Sequence, residues 1–170
     1  MEGKVLMKSS QLNRVVVGIS EMEISNRPED VLVTYSLGSC IGVAIYDPEI
    51  KVAGMLHCML PLSKIDPQKA KSSPHMFVDT GIPILFKEVY GLGAVKERII
   101  VKIAGCSSMM DKKGMFKIGE RNCTVFRKIL WKNNVLIEKQ DIGGSISRTL
   151  SIEVATGRVI VKSGGEEVEL

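Results

Sequence analysis

At 170 residues, with 45% hydrophobic and 25% charged side chains, the chain has the composition of one globular domain rather than a disordered or fibrous one. That length is enough to bury roughly two-thirds of the extended-chain surface. The net charge of +4 is scattered and aromatics reach only 5%, which argues against the clustered basic face with stacking rings of a nucleic-acid binder. A mild positive balance suits an acidic protein partner instead.

Met1 to Gln11 holds lysines but no apolar run of signal-peptide length, and no later stretch reaches the length of a membrane span. Val15 to Ile19 is a short apolar run, read as a buried strand. Ser25 to Asp30 contains Asn-Arg-Pro and reads as a loop. Val31 to Tyr35 resumes strand character and carries Thr34 to the edge of a small-residue bend, Leu37-Gly38-Ser39. On its residues alone, Thr34 is a good β-former.

Thr34 to Pro61 is the stretch the rest of the chain serves. Ile41 to Tyr46 and Lys51 to Met59 read as the strands of a β-hairpin, with Asp47-Pro48-Glu49-Ile50 as its turn. A symmetric turn sets Ile45 opposite Val52, Val43 opposite Gly54 and Ile41 opposite Leu56, one uniformly apolar face. The other face pairs Tyr46 with Lys51, Ala44 with Ala53, Gly42 with Met55, and Cys40 with His57. Opposed residues have Cβ atoms about 4.5–5.5 Å apart, so the register predicts a Cys–His dyad. A thiol with a pKa near 8.5 is mostly protonated at neutral pH. An adjacent imidazole can take its proton and later return one to a leaving amine. The bend before Cys40 lets the backbone N–H groups of Ser39 and Cys40 face a carbonyl oxygen as an oxyanion site. Small side chains at Gly42, Ala44 and Ala53 leave room for a substrate. The plainer alternative is an inert buried cysteine beside a structural histidine.

Pro61 to Pro74, with three prolines and several lysines, reads as an exposed loop bordering the site. Phe77 to Tyr90 reads as an amphipathic helix, with Ile82, Leu85, Phe86 and Val89 on one stripe and Asp79 or Thr80 as its cap. His75, just before it, reads as a surface or capping residue. Arg98 to Ala104 is a strand, and Gly105 to Gly114 a loop whose Cys106 has no histidine nearby in sequence. Glu120 to Lys132 is a second helix, with Cys123, Phe126, Ile129 and Leu130 on its core side. Val135 to Asp141, Ser147 to Val154 and Val159 to Lys162 read as strands. The sum is a layered α+β domain with two main helices, spanning 1–170 with flexible tails at 1–12 and 163–170. Cysteines 40, 58, 106 and 123 are irregularly spaced without a CxxC, so neither a disulfide framework nor a zinc site is expected. Reduced thiols and a cytoplasmic location follow.

Thr34, Leu37-Gly38-Ser39-Cys40, Tyr46-Asp47-Pro48, Gly54-Met55, His57 and Met59-Leu60-Pro61 resemble the signature of the CheD family, the chemoreceptor glutamine deamidases of bacterial and archaeal chemotaxis. Val15 to Glu21, Asp79-Thr80-x-Ile82-Pro83, Ile118 to Asn122, Asp141 to Gly144 and Thr156 to Val159 extend the likeness over residues 14 to 162. The resemblance implies an α/β sandwich related to toxin deamidases and hydrolysis of receptor glutamine amides to glutamate and ammonia through a cysteine thioester. It implies Cys40 as nucleophile, His57 as base and Thr34 as the third member, with no cofactor and no metal. Methyl-accepting chemotaxis receptors are the implied substrate and a CheC-type phosphatase an implied partner of a monomeric enzyme. A non-catalytic adaptor and a receptor methylesterase are the alternative functions. The chain departs from the family at Ala104 to Ser108, where a Gly-Gly-Ala-like run is common, and at Ser145 to Arg148, where an Asn-His-Gly-Arg type run is common.

Overall fold

The structure is a computed structural model that describes residues 11–109 and 115–170. The expectations for the N-terminal tail up to residue 10 and for positions 110–114 of the loop lie outside the described residues. Among the described residues, ten strands form two five-stranded sheets. One sheet joins β1 (Asn13–Val16), β3 (Asp30–Leu37), β8 (Arg148–Glu153), β9 (Val159–Ser163) and β10 (Glu166–Glu169), in that order. The other runs β2 (Met22–Ser25), β5 (Val52–Cys58), β4 (Ile41–Asp47), β6 (Ile100–Gly105) and β7 (Lys139–Ile142). Helices α2 (Val78–Gly91) and α3 (Ile118–Lys132) cover the outer face of the second sheet, and a short α1 (Pro67–Ser72) lies between β5 and α2. This is the layered α+β architecture expected, with the hairpin sheet as its middle layer.

The side-chain alternation of β4 and β5 explains the layering. Ile41, Val43, Ile45, Val52 and Leu56 face the helices and pack with Ile82, Leu85, Phe126 and Leu130. Ala44, Tyr46, Ala53 and Met55 face the first sheet and pack with Leu32, Leu150 and Ile152. Both strands are buried along their whole length because both faces are covered. The small residues on the inner face serve close sheet packing rather than substrate room. A Cβ at Gly42 would lie 2.6 Å from Leu37 Cδ1 and 3.2 Å from Leu150 Cδ2.

The hairpin register differs from the expected one by two residues. Asp47 pairs with Val52, Ile45 with Gly54, Val43 with Leu56, Gly42 with His57 and Ile41 with Cys58. The loop is therefore Pro48 to Lys51 rather than Asp47 to Ile50, four residues in either case but displaced by one. Asp47 stabilises the displaced loop by accepting from the Glu49 N–H at 3.0 Å, and Lys51 closes it in the left-handed region at φ 53°. A shift of two leaves every side chain on its expected face.

Other differences have local causes. Pro61 to Pro74 is not a plain loop: Asp66 accepts from the Lys69 N–H and caps α1, with Pro67 at its first position. Neither Asp79 nor Thr80 caps α2; Asp79 is turned away to accept from Ser63 N and Oγ at 2.8 Å each. Residues 163–170 are not a frayed tail, because β10 pairs with β9 and the Leu170 carbonyl accepts from Lys102 Nζ at 2.7 Å. Strand β2 falls in a segment given no strand by the sequence, and the strand expected over Val135 to Asp141 narrows to β7. Among the described residues, no helix is long and apolar enough to cross a membrane.

Candidate active site

Thr34 and His57 meet in the layer between the two sheets, and Cys40 lies at the edge of that layer. Thr34 is on β3 of the first sheet and His57 on β5 of the second. Between β3 and β4 the chain crosses from one sheet to the other through the bend Gly38-Ser39-Cys40. Cys40 is half-buried at that corner and packs against the inter-sheet cluster. His57 opposes Gly42, so Cys40 is its diagonal rather than its direct neighbour. Diagonal pairs stand about 7–8 Å apart, with Cβ atoms somewhat closer, within reach of a long side chain. The direct opposition expected from a turn over Asp47 to Ile50 is therefore replaced by a diagonal on the same face.

The hydrogen bonds around Thr34 fix the imidazole's protonation. Thr34 Oγ1 donates its one proton to the Val17 carbonyl at 2.7 Å. The same oxygen lies 2.7 Å from His57 Nδ1 and can only accept there, so Nδ1 carries the hydrogen. Nε2 is left with its lone pair, buried and without a hydrogen-bond partner among the described residues. Burial holds the imidazole pKa down to about 4, so the ring is neutral at physiological pH. Burial also raises the Cys40 thiol, an effect opposed by its own backbone N–H. The resting pair is thus a neutral thiol and a neutral base rather than an ion pair. The segment between β1 and β2 fixes the His57 backbone, with His57 N donating to Glu21 O at 3.1 Å and Ser20 N to His57 O at 2.9 Å.

The bend is held from several sides. Cys106 N donates to Cys40 O and Ser107 N to Gly38 O, each at 2.8 Å. Gly105, at φ 107°, has no room for a Cβ, which would meet the Cys40 carbonyl oxygen. Asn122, fully buried on α3, donates through Nδ2 to Ser39 O at 2.9 Å and to Met59 O at 3.0 Å. Arg148 gathers the loops behind the bend, bonding Asp141, Ser107 Oγ and the Gly143 carbonyl. The backbone N–H groups of Ser39 and Cys40 bond no main-chain carbonyl among the described residues. Beside Ser39 opens a cleft of about 570 Å³ lined by Ser107, Phe116, Gly119 and Gly143.

Sequence reasoning missed Asn122, Gly105 and Arg148. The available signal was a polar residue on the apolar side of α3, four positions before Phe126. The other thiols lie elsewhere. Cys58 faces the helices, where burial raises its pKa, and Cys106 and Cys123 lie in that same core. His75 sits in a 3₁₀ turn before α2. No cluster of three His, Cys, Asp or Glu suited to a metal occurs among the described residues.

Comparison with known proteins adds a family. Residues 59–163 match the model of the family described as CheD chemotactic sensory transduction. The chain is 55% identical to a protein of Syntrophus aciditrophicus named probable chemoreceptor glutamine deamidase CheD 1, over 89% of this chain and 94% of that one. It is 46% identical to a Solibacter usitatus protein named probable chemoreceptor glutamine deamidase CheD, over 94% of each chain. An Anaeromyxobacter dehalogenans protein named probable chemoreceptor glutamine deamidase CheD 2 is 42% identical over 94% of this chain and all of its own length. The family match begins after His57, but spans this long across 170 residues include positions 34, 40 and 57 wherever they start. The chain belongs to the CheD family.

Proposed function

We propose that this protein deamidates glutamine side chains of chemotaxis receptors in the cytoplasm, with Cys40 as nucleophile, His57 as base and Thr34 as the residue that orients it. The observation that carries the reading is the donor direction at Thr34, which leaves His57 Nε2 as a buried, unprotonated base on the face that carries Cys40. The relatives' names support the substrate class.

The substrate carboxamide enters at the corner beside Ser39. Its arrival excludes water and closes the diagonal gap, as catalytic hydrogen bonds often tighten only in the substrate complex. His57 Nε2 takes the Cys40 proton as Sγ attacks the amide carbon, and the carbonyl π pair moves onto oxygen. The N–H groups of Ser39 and Cys40 hydrogen-bond that oxyanion, an interaction whose loss typically costs about 3 kcal/mol. The C–N bond then breaks, the imidazolium protonates the nitrogen, and ammonia leaves a thioester. His57 next takes a proton from water, hydroxide adds to the thioester carbon, and the C–S bond breaks to give glutamate and the thiol. Because His57 is neutral at rest, proton transfer accompanies attack instead of preceding it as a stored thiolate.

The test is mass spectrometry of receptor cytoplasmic fragments incubated with wild type or Cys40→Ala. Wild type should produce the small mass gain of amide-to-acid conversion together with ammonia, and Cys40→Ala should produce neither. Unchanged fragments that remain bound would point to an adaptor, of a receptor or of a CheC-type phosphatase. Loss of methanol from methylated fragments without ammonia would point to an esterase.

A further inference from the structure

We infer that Asn122 is a positioning residue for the oxyanion site, acting through the Ser39–Cys40 peptide; the inference rests on the cysteine-deamidase reading above. The Asn122 carboxamide is fully buried, and both of its N–H bonds end on main-chain carbonyls. One belongs to Ser39, immediately before the nucleophile, and the other to Met59, two residues past the base. A single side chain of α3 therefore ties the bend carrying Cys40 to the strand carrying His57.

The consequence follows from peptide geometry. The Ser39 carbonyl and the Cys40 N–H share one planar unit and point in opposite directions. Pulling the carbonyl toward α3 turns the Cys40 N–H away from it, and that N–H bonds no main-chain carbonyl among the described residues. Cys106 N, bonded to the Cys40 carbonyl, secures the next peptide, so the plane is held at both ends. Asn122 Oδ1, meanwhile, is buried without a partner among the described residues. An unpaired buried acceptor is destabilising, and a leucine would fill the same site without it. The side chain is suited to its donors rather than to packing.

Two reactions of the same thiol separate this role from general support. Alkylation of Cys40 by iodoacetamide needs the thiol and its base but develops no oxyanion. Deamidation of a receptor fragment needs all three. Asn122→Ala should lower kcat for deamidation by about 100-fold, the scale of one lost oxyanion contact, with KM and the Cys40 alkylation rate near wild type. Asn122→Asp keeps the shape while replacing the donors, and it provides the same comparison if Asn122→Ala does not fold. Equal losses in alkylation and deamidation, or unchanged kcat in a folded variant, would overturn the inference. Cys40→Ala is run beside them: if it still deamidates, the underlying reading fails as well, whereas an inactive Cys40→Ala with a fully active Asn122 variant sinks the Asn122 role alone.

Discussion

At the scale of single residues, one hydroxyl proton decides the chemistry available to the site. Thr34 donates to Val17 O, so His57 Nδ1 must donate to Thr34, and the lone pair falls on Nε2. The protein has two histidines, which makes this directly visible by ¹⁵N NMR. One ring should show the Nδ1–H tautomer, and Thr34→Val, which removes the acceptor, should release that preference and slow deamidation by about 10-fold or more, with Thr34→Ser restoring both. An Nε2–H ring in wild type would contradict the assignment. That Cys40 and His57 share one face was legible from the alternation around the hairpin, although the pairing partner of His57 was not. The hydrogen-bond direction at Thr34 was not, because its determinant, the Val17 carbonyl, is main chain and has no side-chain signature.

At the scale of elements, the hairpin shows how a sequence can specify faces while hiding register. Alternation of large and small residues in β4 and β5 assigns Ile41, Val43 and Ile45 to the helices and Gly42 and Ala44 to the other sheet. Alternation repeats every two residues, so it is blind to a shift of two. The loop decided the matter: Asp47 is wholly buried, fastened by Arg98 Nη2 at 2.7 Å and by Val95 N at 3.0 Å, and it lies inside the paired region. Burial alone would raise its carboxyl pKa, but these hydrogen bonds hold it below the usual carboxylate range. Lys51 then has to close the loop at positive φ. Lys51→Gly removes that strain and should stabilise the protein by about 1 kcal/mol in denaturant unfolding, without changing Cys40 reactivity. Destabilisation would mean that the Lys51 side chain contributes more than its backbone costs.

At the scale of the whole molecule, three layers make the site possible. The middle sheet is closed off by helices on one side and by the first sheet on the other, and the chain changes sheets at Cys40. Tyr46 helps hold the sheets together, its hydroxyl donating to Val154 O at 2.9 Å. The helices and most strands could be read from periodicity, but the assignment of strands to two sheets rests on pairings remote in sequence, and β10, joined to β9 by the local Gly164-Gly165 turn, is exposed throughout and so carries no apolar alternation. Sealing His57 between the sheets has a cost that pH exposes. Its pKa is about 4 folded, against an ordinary value of 6.5, so the unfolded chain takes up the proton first as pH falls. Stability should therefore fall as pH drops from about 6.5 to about 4, by on the order of 3 kcal/mol in all. The lowered carboxyls of Asp30 and Asp47 contribute their own loss only as pH falls below about 3.8. Thermal melting across pH should show the first slope in wild type and lose it in His57→Gln; a wild type flat between these values would contradict a neutral buried imidazole.

The central claim is that an imidazole held by one sheet activates a thiol at the corner between both. The most direct measurement is the rate at which iodoacetamide labels each of the four cysteines near neutral pH, in wild type and in His57→Ala, read by peptide mass spectrometry. Cys40 should react well ahead of Cys58, Cys106 and Cys123, and the lead should vanish in His57→Ala. A Cys40 rate that His57→Ala leaves unchanged would contradict the account.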